Sequence, residues 1–415
     1  MAHVSVSLLS GWFPVALRAA AAVAVLVAVA RPGRRWWTRR APVAAALAAG
    51  LAVAAGMVAD AALRQPEPLP DEVWFWVGMA LFALMAALLR GAAWQRGIAV
   101  VAALLAVAAA ASTVNAFVGY YPTVGVAFDD LAGVPVPAQI DRAQLSSVDP
   151  NTRHGRVVAV DVPADYSHFA HRLEYVYLPP AWFRTGRKEH FPAVEMIGAE
   201  FAEPDNWIRV GGAVTAADAY AGRHHGWAPI LVFTDPSGGF AVDTECVDGP
   251  HGNAETHLVR DIPAYVTRHF GARATGWGVV GWSMGGTCAV DLAVEHPAVF
   301  AHFLDISGDL GPNTGNRAAT VDNLYGGSVA AWAAHDPLTV LAHHPRYPGT
   351  TGLFVDGSHE HRTTLAARLL SRACDHDGMR TGVVVRPGGH TWQFAARTFA
   401  AVLPAFAASL AGEPA

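Results

Sequence analysis

Polar residues in the first 120 positions are confined to short breaks between long apolar runs, whereas from residue 156 short β-branched runs alternate with amphipathic stretches. The apolar runs cover about residues 11–30, 41–63, 72–90 and 97–118. Each has the roughly 20 residues that a helix needs to cross a hydrocarbon core. A cleavable leader would supply only one such stretch, so the pattern predicts an all-α membrane region of four transmembrane helices over residues 1–118. Residues 119–155, with "YYPTVG", "GVPVPAQI" and "SSVDPNTRHG", lack a clean period and read as a linker or lead-in.

Beyond it, eight runs read as strands: 156–163, 173–180, 193–198, 230–235, 276–281, 301–307, 352–357 and 382–387. The last six are continuously apolar, as expected of strands buried on both faces of a mainly parallel sheet. Helical stretches lie between them, including "ETHLVRDIPAYVTRHF", "MGGTCAVDLAVEH" and "TTLAARLLSRAC", and "WQFAARTFAAVLPAFAASLAG" follows the last. The alternation predicts a three-layer α/β domain over residues 156–412, with its ligand site beyond the carboxyl ends of the strands.

Charge refines both halves. The chain carries 29 Lys+Arg and 34 Asp+Glu, of which 9 and 4 fall in residues 1–120 and 20 and 30 in residues 121–415. The acidic second part argues against a nucleic-acid partner. In the first part the connection "RPGRRWWTRR" holds Arg31, Arg34, Arg35, Arg39 and Arg40, and "RGAAWQRG" holds Arg90 and Arg96, while "RQPEPLPDE" between them is acidic. The positive-inside bias places the two basic connections in the cytoplasm and everything after residue 118 outside. Arg18 falls within the first run and is expected to snorkel outward; Trp36, Trp37, Trp74 and Trp76 read as interfacial belt residues. Cys246, Cys288 and Cys374 lie far apart without a CxxC pair, which argues against a structural zinc site and allows at most one disulfide. Cys288 reads as a small core residue.

The chemistry centres on "VVGWSMGGTCAVDLA", where Gly281, Ser283 and Gly285 form GxSxG between a strand and a helix. At such a turn the hydroxyl stands above the sheet, and the Met284 N–H at the helix N-terminus can hold a developing oxyanion. Serine needs a base and an orienting carboxylate, and in the hydrolase order the acid follows the nucleophile and the histidine comes last. His390, in "RPGGHTW" between the last strand and the last helix, is the expected base; His343, His344, His359 and His361 read as surface or loop residues. For the acid, "VDGSHEHRTT" offers Glu360, favoured, and Asp356; Asp305 and Asp309 are further candidates. The His359, Glu360, His361 run has no third spaced ligand to make a metal site.

Together "VYLPPAW", "MIGAEFAEPDNW", "ETHLVRDIPAYV", "GWSMGGTCAVDLAVEHPAVFAHFLDISG", "VDGSHE" and "GGHTW" resemble the putative esterase family that includes esterase D and the antigen 85 mycolyltransferases, over roughly residues 150–410. The resemblance implies an α/β-hydrolase fold with Ser283 as nucleophile, His390 as base, Glu360 as acid, and oxyanion donors at Met284 and after the third strand. There the family carries His-Gly or Asp-Gly, and this chain has Ile197-Gly198-Ala199, which leaves the Ala199 N–H as donor. The Asp-Gly-Leu-Arg pattern of the mycolyltransferases is absent. The expected protein is a membrane-anchored, extracytoplasmic serine esterase, with transfer of acyl groups among envelope lipids or glycans, or a non-catalytic binding role, as alternatives. Its expected partners are an ester or acyl-lipid substrate and the bilayer, with no metal, cofactor, nucleic acid or protein partner.

Overall fold

The computed structural model describes residues 6–30, 34–63, 69–89, 93–185 and 190–412, with side chains 60–63 left undescribed. Arg31, Arg90 and most of the acidic second connection lie outside the described residues. The chain forms two compact units, Met1–Val134 and Pro135–Ala415. The boundary falls inside the stretch read as a lead-in, which also contains the helix Val124–Leu131 and a 3₁₀ turn at Arg142–Ser147.

In the first unit the four apolar runs are helices: α1 (Trp12–Val29), α2 (Ala41–Leu63), α3 (Asp71–Leu88) and α4 (Ala93–Val118). All four are long and apolar enough to cross a membrane. Their packing inverts that of a water-soluble bundle. Alanines fill the inside, among them Ala21 and Ala28 on α1, Ala83 and Ala86 on α3, and Ala99, Ala102, Ala106 and Ala109 on α4. Larger aliphatics, including Leu26, Leu47, Leu51, Val53, Leu104 and Val107, face outward. Small residues recurring every three or four positions let helix backbones approach closely, so van der Waals contact can hold the bundle without a hydrophobic drive.

Polar side chains of this unit find partners within it, and one expectation changes. Arg18 is held by partners on two other helices: its Nε lies 2.9 Å from Glu72 Oε1 at the start of α3, and its Nη2 donates to Thr113 Oγ1 on α4. A charge within an apolar helix is made less costly by an acid and a hydroxyl at its tip. Trp36 and Trp76 are buried within the unit rather than displayed as a belt, their indole N–H groups donating to Val29 O at 2.9 Å and Glu72 Oε1 at 3.2 Å; Trp37 is exposed.

The second unit is built on an eight-stranded sheet. Its strands are β1 (Arg156–Val160), β2 (Glu174–Leu178), β3 (Ala193–Ile197), β4 (Ile230–Phe233), β7 (Trp277–Trp282), β8 (Phe300–Ile306), β9 (Thr351–Gly357) and β10 (Arg380–Arg386); β5 (Asp248–Gly249) and β6 (Gly252–Asn253) form a separate small hairpin. All eight expected strands are present. The order is β1-β2-β4-β3-β7-β8-β9-β10, antiparallel only where β2 meets β1 and β4. This is the α/β-hydrolase arrangement, with helices on both faces.

Register positions the site. Ile197 on β3 pairs with Gly281 on β7, Gly281 with Asp305 on β8, and Asp305 with Phe354 on β9. The carboxyl ends of four strands thus finish side by side, and whatever follows each strand meets at one rim. β3, β4 and β7 are buried along their whole length, as continuous apolar runs require. β10 departs from that expectation: Val384 and Val385 are exposed, because it is the last strand of the order and is paired only with β9.

The helix Trp392–Ala411 is also apolar enough to cross a membrane by composition. Its Trp392, Phe394, Ala395, Phe399, Leu403, Phe406, Ala407 and Leu410 are buried instead, a stripe at spacings of one to four that packs on the sheet. Trp207, Trp282, Trp392 and Phe399 interlock on that face through ring contacts of 4.6–5.7 Å.

Cys288 is a core residue as expected, but it is also joined to Cys246, 42 residues earlier; Cys374 is buried and free. Closing a loop of that size removes unfolded-state entropy worth about 4 kcal/mol in the chain-entropy account. Replacing both Cys246 and Cys288 by serine should therefore lower the melting temperature of the detergent-purified chain by several degrees. Reductant should do the same to the wild type and nothing to the variant; an unchanged midpoint in both would show that the bridge contributes no stability.

Candidate active site

Ser283 follows β7 directly and caps the helix Met284–Glu295 at φ 59° and ψ −124°. A non-glycine residue at positive φ is costly, by about 1–3 kcal/mol, and is kept only where its surroundings over-determine it. Here the Ser283 N–H donates to Ile306 O at 2.9 Å, and the Ser283 carbonyl accepts from Gly286 and Thr287. The glycines of the motif are required by close approach. A Cβ on Gly281 would overlap the Gly285 carbonyl, and one on Gly285 would overlap the carbonyls of Ile197 and Gly198. The helix N-terminus is thereby pressed against the turn that leaves β3.

His390 lies between β10 and the final helix. Its Nε2 is 2.8 Å from Ser283 Oγ, and its Nδ1 is 2.6 Å from Glu360 Oε1. Glu360, three residues past the end of β9, is buried. Its other oxygen accepts from Gly357 N–H at 2.7 Å and from Ser307 Oγ at 2.9 Å. Burial alone would push the Glu360 carboxyl up, but the bond to His390, joined by those from Ser307 and Gly357, outweighs it and holds the carboxyl below its ordinary range. An ionised Glu360 can only accept, so Nδ1 carries the ring proton and Nε2 is left to accept from the serine hydroxyl.

The other acids are placed elsewhere. Asp356 is buried inside β9, without a bond to His390, and burial pushes its carboxyl up to about 6. Asp305 accepts from Gly308 N–H and is held well above its ordinary value, first by burial and then by Asp356. Asp309 pairs with Arg362 at 2.7 Å. His359 and His361 are exposed on either side of the inward-facing Glu360. Of the expected residues the structure thus brings Ser283, His390 and Glu360 together, and it sets Asp356, Asp305 and Asp309 apart from the ring.

Ser307 was not foreseen. It follows β8 at φ 56°, and its hydroxyl completes the set of donors around Glu360; the "DISG" stretch carries no motif that would have singled it out. The N–H groups of Met284, first in its helix, and of Ala199, in the turn after β3, donate to no acceptor among the described residues. Unspent donors beside an activated hydroxyl are what a developing oxyanion requires. Phe201, two residues past Ala199, meets the exposed Phe240 with ring centroids 5.8 Å apart.

Known proteins are similar to this chain in sequence or in fold. The family described as "Putative esterase" matches residues 172–406. An uncharacterized protein of Corynebacterium glutamicum is 30% identical over 348 residues, covering 79% of each chain. That share exceeds the length of the second unit, so the likeness runs into the helical one. The diacylglycerol acyltransferase/mycolyltransferase Ag85A of Mycobacterium ulcerans is 32% identical over 97 residues, 20% of this chain and 29% of that protein. Among solved structures, a ferulic acid esterase superposes with a TM-score of 0.53 at 16% identity, covering 62% of this chain and 99% of its own. An S-formylglutathione hydrolase from Agrobacterium tumefaciens does so with a TM-score of 0.53 at 18% identity, covering 62% and 97%. The chain belongs to the Putative esterase family and is a serine hydrolase or related acyltransferase, an enzyme of ester hydrolysis or acyl transfer.

Proposed function

We propose that the protein is a membrane-anchored serine esterase whose catalytic unit faces away from the cytoplasm. The observation that carries the catalytic reading is the unbroken relay from Ser283 Oγ through His390 to Glu360, with contacts of 2.8 and 2.6 Å. In the reaction Ser283 Oγ attacks the ester carbonyl while His390 Nε2 takes its proton. The oxygen that becomes negative is received by the Met284 and Ala199 N–H groups. Collapse expels the alcohol, which recovers the proton from His390, and leaves an acyl-serine that a second nucleophile, activated by the same ring, releases. Glu360 holds the tautomer and stabilises the imidazolium. The apolar pair Phe201 and Phe240, next to the oxyanion turn, supports an acyl group as the part of the substrate bound there.

Placement rests on three features. The outward aliphatics and inward alanines of the first unit suit a lipid surrounding. Arginines crowd the first and third helix connections. The Cys246–Cys288 disulfide is of a kind that persists in oxidising compartments and is rare in the cytoplasm. The local likeness to Ag85A favours acyl transfer as a second reading, in which an alcohol rather than water resolves the acyl-serine.

A fluorophosphonate probe should label the wild-type chain at Ser283 and leave Ser283→Ala and His390→Ala unlabelled; labelling that survives Ser283→Ala would refute the assignment. With a short p-nitrophenyl ester, wild-type turnover that yields only the free acid favours hydrolysis, and a new ester formed on added alcohol favours transfer.

The two buried acids should part company. Glu360→Gln is expected to lower kcat on the order of 10³-fold, since the amide can neither hold the tautomer nor balance an imidazolium; Asp356→Asn should keep kcat within a few-fold. Glu360 has a folded pKa below its unfolded value, so its contribution to stability is present above about pH 4.3 and fades as pH falls through the folded value. Asp356 runs the other way: with a folded pKa of about 6, stability falls as pH rises from about 4 to 6. Melting curves should therefore show Asp356→Asn gaining on the wild type at pH 7.5 and not at pH 4. An equal effect at both pH values would contradict the burial argument.

For topology, alkaline phosphatase fused after residue 415 should be active in cells and a fluorescent protein there should be dark. The opposite pair of results would place the catalytic unit in the cytoplasm.

A further inference from the structure

Four side chains converge at the far end of the nucleophile helix, about 18 Å along it from Ser283. Glu295 ends the helix Met284–Glu295 and His296 is its C-cap. Glu255 comes from the short turn after β6, and His335 ends the helix Val329–His335. His296 Nε2 lies 2.6 Å from Glu255 Oε1, and His335 Nδ1 lies 2.8 Å from Glu295 Oε2 and 3.7 Å from Glu255 Oε2. One ligand atom each from Glu255, Glu295 and His296 falls within 4.8 Å of the others. Tetrahedral zinc, with bonds of about 2.0–2.2 Å, holds its ligand atoms about 3.3 Å apart, so the 2.6 and 2.8 Å histidine–carboxylate contacts would open and His335, outside that group of three, would turn in as the fourth ligand.

Independent features point to a cation. Asp291, one turn earlier on the same helix, is 5% exposed, and neither carboxylate oxygen has a hydrogen-bond partner among the described residues. Glu295 and Glu255 are among the charges it faces. The Tyr325 hydroxyl, buried and also without a hydrogen-bond partner among the described residues, faces the same carboxylates, and its ring stacks on His335 at 5.7 Å. Two acids in or near the last turn oppose the helix dipole, whose C-terminal end favours positive charge. An ion bound to Glu295 and Glu255 would relieve acids at the wrong end of a helix and set a positive charge near the unpartnered Asp291, which is not itself a ligand.

We propose that His296, His335, Glu255 and Glu295 bind a structural divalent metal of the zinc type, tying the nucleophile helix to the segment between β8 and β9. Two imidazoles with two carboxylates suit zinc, whereas calcium and magnesium take all-oxygen sets. The other His and Glu cluster, His171, Glu174 and His257, makes no such case. Both ring nitrogens of His171 are engaged by backbone carbonyls, and its ring stacks on His257 at 4.4 Å, so one ion cannot lie in both ring planes.

The full chain, purified in detergent with a chelator and dialysed, would be titrated with Zn²⁺ alone and with Co²⁺ alone. One Zn²⁺ per chain should survive gel filtration, and a hundredfold excess over Kd should raise the melting midpoint by about 5 °C. Co²⁺ should give the intense visible bands of a four-coordinate site. His296→Gln with His335→Gln should weaken binding at least about 100-fold, while His171→Gln should leave it unchanged, near-ultraviolet circular dichroism confirming the fold of each. Should the double variant not fold, the wild-type Co²⁺ spectrum decides: weak six-coordinate bands overturn the proposal. Substoichiometric Zn²⁺ in the wild type, or binding undiminished in a folded double variant, also overturns it. None of these readouts depends on Ser283 chemistry.

Discussion

The contact on which the second unit depends is the one between Gly285 and the carbonyls of Ile197 and Gly198. It is a contact of backbone on backbone, possible only because no Cβ intervenes. It fixes the start of the helix Met284–Glu295 against the end of β3, the segment that carries Ala199. The strained backbone of Ser283 is a consequence. A chain that must leave a fully buried strand and enter a helix within one residue has no relaxed conformation available, and the buried β7 and the bond from Ser283 N–H to Ile306 O prevent it from relaxing.

Around that contact the sheet works as an alignment device. Because β3, β7, β8 and β9 end in register, residues from positions 199 to 390 meet without any of them being near in sequence. The electrostatics follow from depth. Glu360 keeps its charge because three donors converge on it, whereas Asp356, four residues earlier and equally buried, lacks them and is driven toward the neutral form. Two acids four residues apart are thus given different states, Glu360 by its donors and the nearby His390, Asp356 by burial and the nearby Glu360.

Much of this was legible beforehand, for physical reasons that also explain the failures. Strands buried on both faces leave continuous apolar runs, and the four long helices of the first unit leave runs of about 20 residues, so both were readable. So were Ser283 and His390, which sit at strand-to-helix junctions that the pattern marks. The choice of Glu360 over Asp356 was favoured on sequence, but its reason, the donors from Gly357 and Ser307, is tertiary and leaves no local trace. The same holds for the partner of Arg18, which lies 54 residues away on another helix, and for the pairing of Cys246 with Cys288. The exposure of Val384 and Val385 could not be read either, because an apolar strand at the edge of a sheet looks like one at its centre until the order is known.

The alanine lining of the helical unit has a consequence of its own. Methyl groups meeting methyl groups carry no donor or acceptor code, so away from the contacts of Arg18 with Glu72 and Thr113 which helix neighbours which is written in contour. The bulky aliphatics on the outside take no part in that recognition. They can drift in size and branching to match the surroundings while the order of the four rods stays as it is.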